Sequence, residues 1–564
     1  MAYDLLIKNA RIVDGTGAPA YSGALAVEGG KIAAVGDASG AAHREINGDG
    51  LVLAPGFVDI HTHYDAQISW DRLLTCSSWH GVTSLLMGNC GVGVAPVHSA
   101  QKSTMAWDLV NVEALPHSVL MNGVSWDWET FPEYMNAIER NGIALNVSFL
   151  VPLSALRFYV LGDEAAERAA TEEETRRMAQ VFREAMMAGA YGFSLSLAPQ
   201  HIGFQGRPLA SRMASREELG ALCRVMRDLN KGIIEILPGR GTAAGTTTEK
   251  GFELLTFLAE QSQRPITFLA LLDLPGTPLK AHEDSVERLK PLFARGLKIY
   301  PQVTPRPIQQ YYTLRDPFIF AALDSWKGVF NRSAEEQTAL FRSPDFRRAF
   351  KEELKHGVKA VFRNRWDCVH VVRVEKEENK KYLNKSIEEV AGMMHKDPAD
   401  AILDLGLDEN LDLGITLSVI NVNKEIVEKL LKFPNTLLGL SDAGAHVAQH
   451  CDAGLPTYLL KEWVRERHTL TLEEGVRRLT SELADFMNLG SKGRLKPGMD
   501  ADLVMFDADR VAPLPPEWRN DLPGNQPRLI ERAQGVEYTI VGGNVLFAHD
   551  EYQGGLPGKV LRSS

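Results

Sequence analysis

Two histidines, His61 and His63, stand one residue apart where the apolar run "LAPGFVDI" gives out. Residues two apart on an extended chain point to the same side. The pair therefore aims two imidazoles at one place, with the small Thr62 turned away, and two imidazoles can hold one divalent metal. An isolated pair of this kind is more often two ordinary loop histidines. The apolar strand leading into it is what favours a ligand pair.

Other residues with chemical potential lie far away in the chain. Cys90 closes the apolar run "VTSLLMGNC" and precedes Gly91, which lets the backbone turn sharply. A thiolate there would be a soft zinc ligand, although a lone cysteine is by default a core residue. Asp442 follows "TLLGLS". A carboxylate in that place can take a proton from a metal-activated water and pass it to a leaving amine. Before Ala443-Gly444 it also reads as a turn aspartate. His446, His450 and Asp452 come soon after, and His446 is a candidate substrate contact. Arg240, after "ILPG", and Arg306, after "YPQVTP", are candidates for a bidentate grip on a substrate carboxylate. Most arginines in any chain are solvated loop residues.

Such scattered residues need elements that bring them together. Short apolar runs alternate with amphipathic helices through the middle of the chain: "GFVDIH", "VTSLLMG", "ALNVSFLV", "AYGFSLSL", "GIIEIL", "PITFLALL", "LKIYPQV" and "NTLLGLS" are the strand candidates. Ser215 and Glu218 open one helix as a capping box that closes on Gly232, and Thr471 and Glu474 open another that closes on Gly490. This alternation predicts an α/β chain with a parallel (β/α)₈ TIM barrel, whose chemistry sits at the C-terminal ends of the strands. A doubly wound sheet has less support, because no GxGxxG follows a strand. The two ends are β-rich, with hairpin signals at Gly29-Gly30 and Gly542-Gly543. They predict one small β-sandwich from residues 1–55 and 490–564, with the barrel over 56–489. A helical, charged insertion around 305–410 is expected to cover the barrel mouth.

With 564 residues, 45% of them hydrophobic, the chain can bury a large core. Lys+Arg 61 against Asp+Glu 72, formally −11, argues against a nucleic-acid surface. Neither a secretory leader nor a membrane-spanning run is legible, and five scattered cysteines fit a reducing cytoplasm. Localisation is therefore expected to be cytoplasmic, with a homo-oligomer left open.

"PGFVDIHTH" resembles the first metal motif of the amidohydrolase superfamily, and "GRLKPGMDADLVMFD" its C-terminal strand. "GVTSLLMGNCGVGVAP" is similar to the second-strand motif of the D-aminoacylase (N-acyl-D-amino-acid deacylase) family, whose cysteine binds metal. "LGLSDAGAH" resembles the last-strand motif with the catalytic aspartate. The resemblance implies zinc held by His61, His63, Cys90 and Asp442, with Asp442 as the proton shuttle. It implies a small N-acyl amino acid or related amide as substrate.

The chain also departs from that family, which places histidines at strands five and six. The segments "KGIIEILPGR" and "RPITFLALLDL" contain none, and no lysine ends "AYGFSLSL". One tightly bound ion is expected, with a second uncertain. Hydrolysis of a lactone, ester or cyclic amide on the same scaffold is the nearest alternative. A metal-free assembly protein is the more distant one.

Overall fold

The computed structural model describes residues 2–199, 201–239, 248–274, 277–315, 317–320, 323–330, 332–355, 362 and 364–564. Two compact units emerge: residues 1–306 with 423–564, and residues 307–422.

The first unit contains the barrel. Strand one is Phe57–Asp59, strand two Val82–Met87, and strand three Asn146–Phe149, continued after Leu150 by Val151–Pro152. Strand four is Gly192–Ser196, strand five Ile233–Leu237 and strand six Ile266–Phe268. Strand seven is Ile299–Val303 and strand eight Leu437–Leu438. Each pairs in parallel with the next. Beyond the last strand the circle closes through a parallel bridge between Thr62 and Ala443. Ser441 Oγ adds a hydrogen bond to the His61 carbonyl at 2.9 Å. All eight strand candidates are realised.

The barrel has an apolar floor. Val58, Ile60, Leu86, Leu150, Ile233 and Leu437 form one cluster with Leu483, Phe486 and Met487 from the helices that follow strand eight. Each such fully buried side chain contributes roughly 1.5–3 kcal/mol. Above this floor the interior turns polar. Ser194, Glu235, Thr267 and Tyr300 are register partners on strands four to seven. Register partners face the same way, and the Tyr300 ring meets Phe486 of the floor, so this face is the barrel interior.

The helix Arg216–Leu229 has the expected capping box, but ends with Asn230 in the left-handed conformation rather than running to Gly232. The helix opened by Thr471 is two helices, Leu472–Leu479 and Ser481–Phe486. Thr480 breaks it at φ −129°, ψ −90°, with its hydroxyl bonded back to the Val476 carbonyl at 2.6 Å.

Both chain ends enter one nine-stranded sheet. Val52–Pro55 pairs with Leu503–Phe506, which joins the N-terminal strands to the C-terminal ones. Tyr21–Glu28 pairs with Lys31–Gly36 around Gly29 and Gly30, and Val536–Val541 with Asn544–Ala548 around Gly542 and Gly543. All four glycines have positive φ, as tight hairpin turns require.

Residues 307–422 have their own core. Gly414–Ile420 lies between Ile308–Thr313 and Val369–Arg373 in an antiparallel sheet. Phe320, Trp326, Phe350, Phe362 and Trp366 pack together in its cluster. The unit begins and ends slightly later than the 305–410 segment expected from sequence.

Candidate metal centre

Strand one delivers His61 and His63 at the edge of the floor. The Asp59 carboxylate accepts the His61 backbone N–H at 3.1 Å. Asn89 Nδ2 donates to the Thr62 carbonyl at 3.1 Å, and the His63 N–H to the Ala443 carbonyl at 2.8 Å. The His-Thr-His segment is thus held between the strand-two turn and the strand-eight loop. His61 is fully buried and His63 nearly so.

Cys90 sits on the turn after strand two in the left-handed region, φ 55°. Glycines on both sides make this geometry accessible. A Cβ on Gly88 would stand 2.2 Å from the Leu150 carbonyl oxygen, and one on Gly91 2.9 Å from Leu195 Cα. The turn carries the thiol to 3.7 Å from His61 Nε2. The donor atoms of His61, His63 and Cys90 lie within 4.8 Å of one another.

Asp442 completes the group from strand eight, also at positive φ, 46°. Its Oδ1 lies 3.2 Å from His61 Nε2 and 3.7 Å from His63 Nε2. Non-glycine residues held in this region are unfavourable by about 1–3 kcal/mol and cluster at functional sites. Burial would raise the Asp442 carboxyl, but the hydrogen bonds and charges of the two histidines hold it well below the usual carboxylate range. Asp442 therefore stays an anion.

Glu113 was not found from the sequence. It ends the helix Lys102–Glu113 and is buried. Its Oε1 lies 3.2 Å from His63 Nδ1, and its Oε2 3.9 Å from His446 Nε2. Burial raises Glu113 to about 7, against the lowering pull of His63. Burial alone would lower His63, yet Glu113 and Asp442 raise it to about 9. Nothing in the sequence ties this residue to a histidine fifty positions earlier; only the path of the helix does. Glu235, on strand five, accepts the Cys90 backbone N–H at 2.8 Å.

The other candidates scatter. His446 lies beside His450, the rings tilted with centroids 4.8 Å apart, and its backbone N–H donates to the Glu113 carbonyl, which places it next to the centre. Arg306, expected to grip a substrate carboxylate, is instead buried against two carboxylates of this chain. It bonds Glu531 bidentately at 2.8 and 3.0 Å, and its Nε lies 3.1 Å from Asp452. An arginine at a strand end looks the same in sequence whether its partner is a ligand or Glu531, which arrives from the C-terminal region. Arg240 lies outside the described residues. Cys223 is buried in its helix, as expected of a core residue, and all five cysteines are free.

The donor set fits a divalent, zinc-like ion. Two imidazole nitrogens and a thiol sulfur lie within 4.8 Å of one another, with a carboxylate oxygen 3.2 Å from one of the imidazoles, the mixture of donors that zinc accepts. The same place holds buried atoms that have no hydrogen-bond partner among the described residues, His61 Nδ1 and Glu235 Oε1 included. Such atoms are rare in folded proteins unless something else satisfies them.

Comparison with known proteins agrees with this geometry. The Amidohydrolase family model matches residues 44–547, and the chain belongs to that family. The chain is 28% identical to an uncharacterised protein of Mycobacterium tuberculosis strain H37Rv, over 98% of this chain and 93% of the relative. It is 26% identical to a D-aminoacylase of Alcaligenes xylosoxydans xylosoxydans, over 99% and 97% respectively. Among solved structures, N-acyl-D-glutamate deacylase from Bordetella bronchiseptica, complexed with zinc and a phosphonate inhibitor, superimposes with a TM-score of 0.67 at 22% identity, covering all of both chains. No helix among the described residues is long and apolar enough to cross a membrane.

Proposed function

We propose that the chain hydrolyses the amide bond of small N-acyl amino acids, using one tightly held zinc-like ion and Asp442 as the proton carrier. One observation carries this reading: a single Asp442 oxygen stands between the two imidazole nitrogens that strand one aims at the same point. Full-length similarity to a D-aminoacylase, an N-acyl-D-aspartate deacylase and an N-acyl-D-glutamate deacylase supports the substrate class.

His61, His63, Asp442 and Cys90 would hold the ion. A divalent cation there supplies a water of lowered pKa and a Lewis acid for the amide carbonyl. The protein supplies the rest. His61 and His63 fix the position through the backbone bonds that pin Thr62 and His63. Asp442, kept anionic, takes the proton released as water adds to the carbonyl carbon. The same carboxyl then gives it to the departing nitrogen as the C–N bond breaks, so that amine and carboxylate leave together. His446, beside Glu113, would meet the substrate from the strand-eight side.

The test is a panel of N-acetyl-D- and N-acetyl-L-amino acids, with matched esters, lactones and hydantoins, offered to zinc-reconstituted protein. Amine release from the N-acyl amino acids at a kcat/KM well above the other groups is expected. Preferential turnover of an ester, lactone or cyclic amide would move the substrate class while keeping the centre.

A further inference from the structure

We propose that Glu235 is itself a metal ligand, its second carboxylate oxygen joining the Cys90 thiolate in holding a divalent cation at the barrel mouth; this rests on the metal reading above. Three observations converge on it. Glu235 lies at the middle of strand five on the interior face, and none of it is exposed. Its Oε2 accepts the Cys90 backbone N–H at 2.8 Å, which anchors the carboxylate beside the thiol. Its Oε1 is buried with no hydrogen-bond partner among the described residues.

A role confined to anchoring the Cys90 turn uses one oxygen and needs no charge. Glutamine would serve it and would avoid burying an anion beside the thiol. An unmatched buried acceptor is unfavourable by about 1–3 kcal/mol, and more when charged. Neighbours on the same interior wall do not relieve it. Thr267 Oγ1 and both amide atoms of Gln302 are likewise buried without partners. Among the described residues, this interior wall thus carries several buried polar atoms with no hydrogen-bond partner. A cation shared with Cys90 answers the charge and the missing partner together. A carboxylate ligand also makes the donor set harder than imidazole would, favouring ions such as Zn²⁺, Co²⁺ and Mn²⁺ over Cu⁺.

Cobalt(II) reconstitution of the full-length protein tests this, with wild type compared with Glu235→Gln and Cys90→Ser. Dye competition reads affinity, and the visible spectrum reads coordination. Glutamine can still accept the Cys90 N–H, so the turn is kept, but a neutral amide is a poor ligand. The expected result is cobalt affinity down by about 100-fold or more in Glu235→Gln, beyond the usual range for a group that only orients a ligand. Its d–d bands should shift while the thiolate-to-cobalt band persists, and that band should vanish in Cys90→Ser. Wild-type affinity and bands in Glu235→Gln would overturn the proposal and leave the metal centre standing. A wild-type protein that takes up no cobalt, manganese or zinc overturns both. If Glu235→Gln does not fold, anomalous diffraction from the wild-type cobalt protein decides. An ion about 2.0–2.2 Å from a Glu235 oxygen supports the assignment, and one beyond contact with both oxygens overturns it.

Discussion

The mouth of the barrel has two unlike sides. Strands one, two and eight end in nitrogen and sulfur donors with one carboxylate: His61, His63 and Cys90 lie within 4.8 Å of one another, and Asp442 lies 3.2 and 3.7 Å from the two imidazoles. Strands five, six and seven present Glu235, Thr267 and Gln302, all oxygen or amide groups, several with no partner. Both sides rest on the same register and the same apolar floor. The strands build the positions, and the residue placed at each decides which ions the position can take. The family match covers both sides, so fold alone does not set the metal chemistry.

The largest effect expected from breaking this contrast is on the histidine side. His61→Ala combined with His63→Ala should leave no ion after dialysis and no measurable turnover, in a protein that still folds but unfolds at a lower temperature, because Glu113 and Asp442 lose their buried partners. Neither ring belongs to the floor cluster, so the apolar base of the barrel is kept. Elemental analysis beside circular dichroism checks this. Full metal content in a folded double variant would refute the site.

Asp442→Asn should come next. The amide keeps the shape but cannot take a proton, so kcat should fall on the order of 10²-fold or more, the scale of lost general acid–base catalysis. Because His61 and His63 remain, the ion should still bind. Steady-state kinetics on metal-loaded protein would show it, and a near-normal kcat would return Asp442 to a structural turn.

Arg306, beyond strand seven, sharpens the comparison by failing differently. Its removal as Arg306→Met leaves Glu531 and Asp452 buried without their cation. Breaking a buried pair in this way destabilises by about 3–5 kcal/mol. Chemical denaturation should show that loss, while metal affinity of the folded fraction stays at the wild-type value. Weakened metal binding without destabilisation would mean that Arg306 serves the site.

Much of this was legible in the sequence because its signals are local. Apolar runs of strand length, capping boxes and double-glycine turns each depend on a few neighbouring residues. The His-Thr-His spacing and the strand-end positions of Cys90 and Asp442 belong to the same kind. What could not be read depends on residues far apart. Glu113 meets His63 only because a helix ends there, and Arg306 meets Glu531 across 225 positions. The break at Thr480 was also hidden, since threonine is a tolerable helix residue until its hydroxyl bonds back to Val476.

Glu113 offers the smallest effect and the most specific one. Its carboxylate orients His63 from behind, a contact whose loss typically lowers metal affinity by about 10–100-fold. Against the lowering effect of burial it also raises the proton affinity of His63, which Glu113 and Asp442 together bring to about 9 in the metal-free protein. Those two actions oppose each other as pH falls. Below about 9 the ion must displace a proton from His63, so wild-type affinity should drop by up to about tenfold per pH unit for that proton. In Glu113→Gln the raising charge is gone, His63 returns toward the ordinary imidazole range, and this competition starts only at lower pH. The variant should therefore bind metal more weakly than wild type at pH 9. The gap should narrow steadily toward pH 7, because only the wild type is losing affinity to the His63 proton there. Dye-competition titrations of both proteins at several pH values measure it. Parallel curves would show that Glu113 does not set the protonation of His63, and no difference at any pH would remove it from the centre.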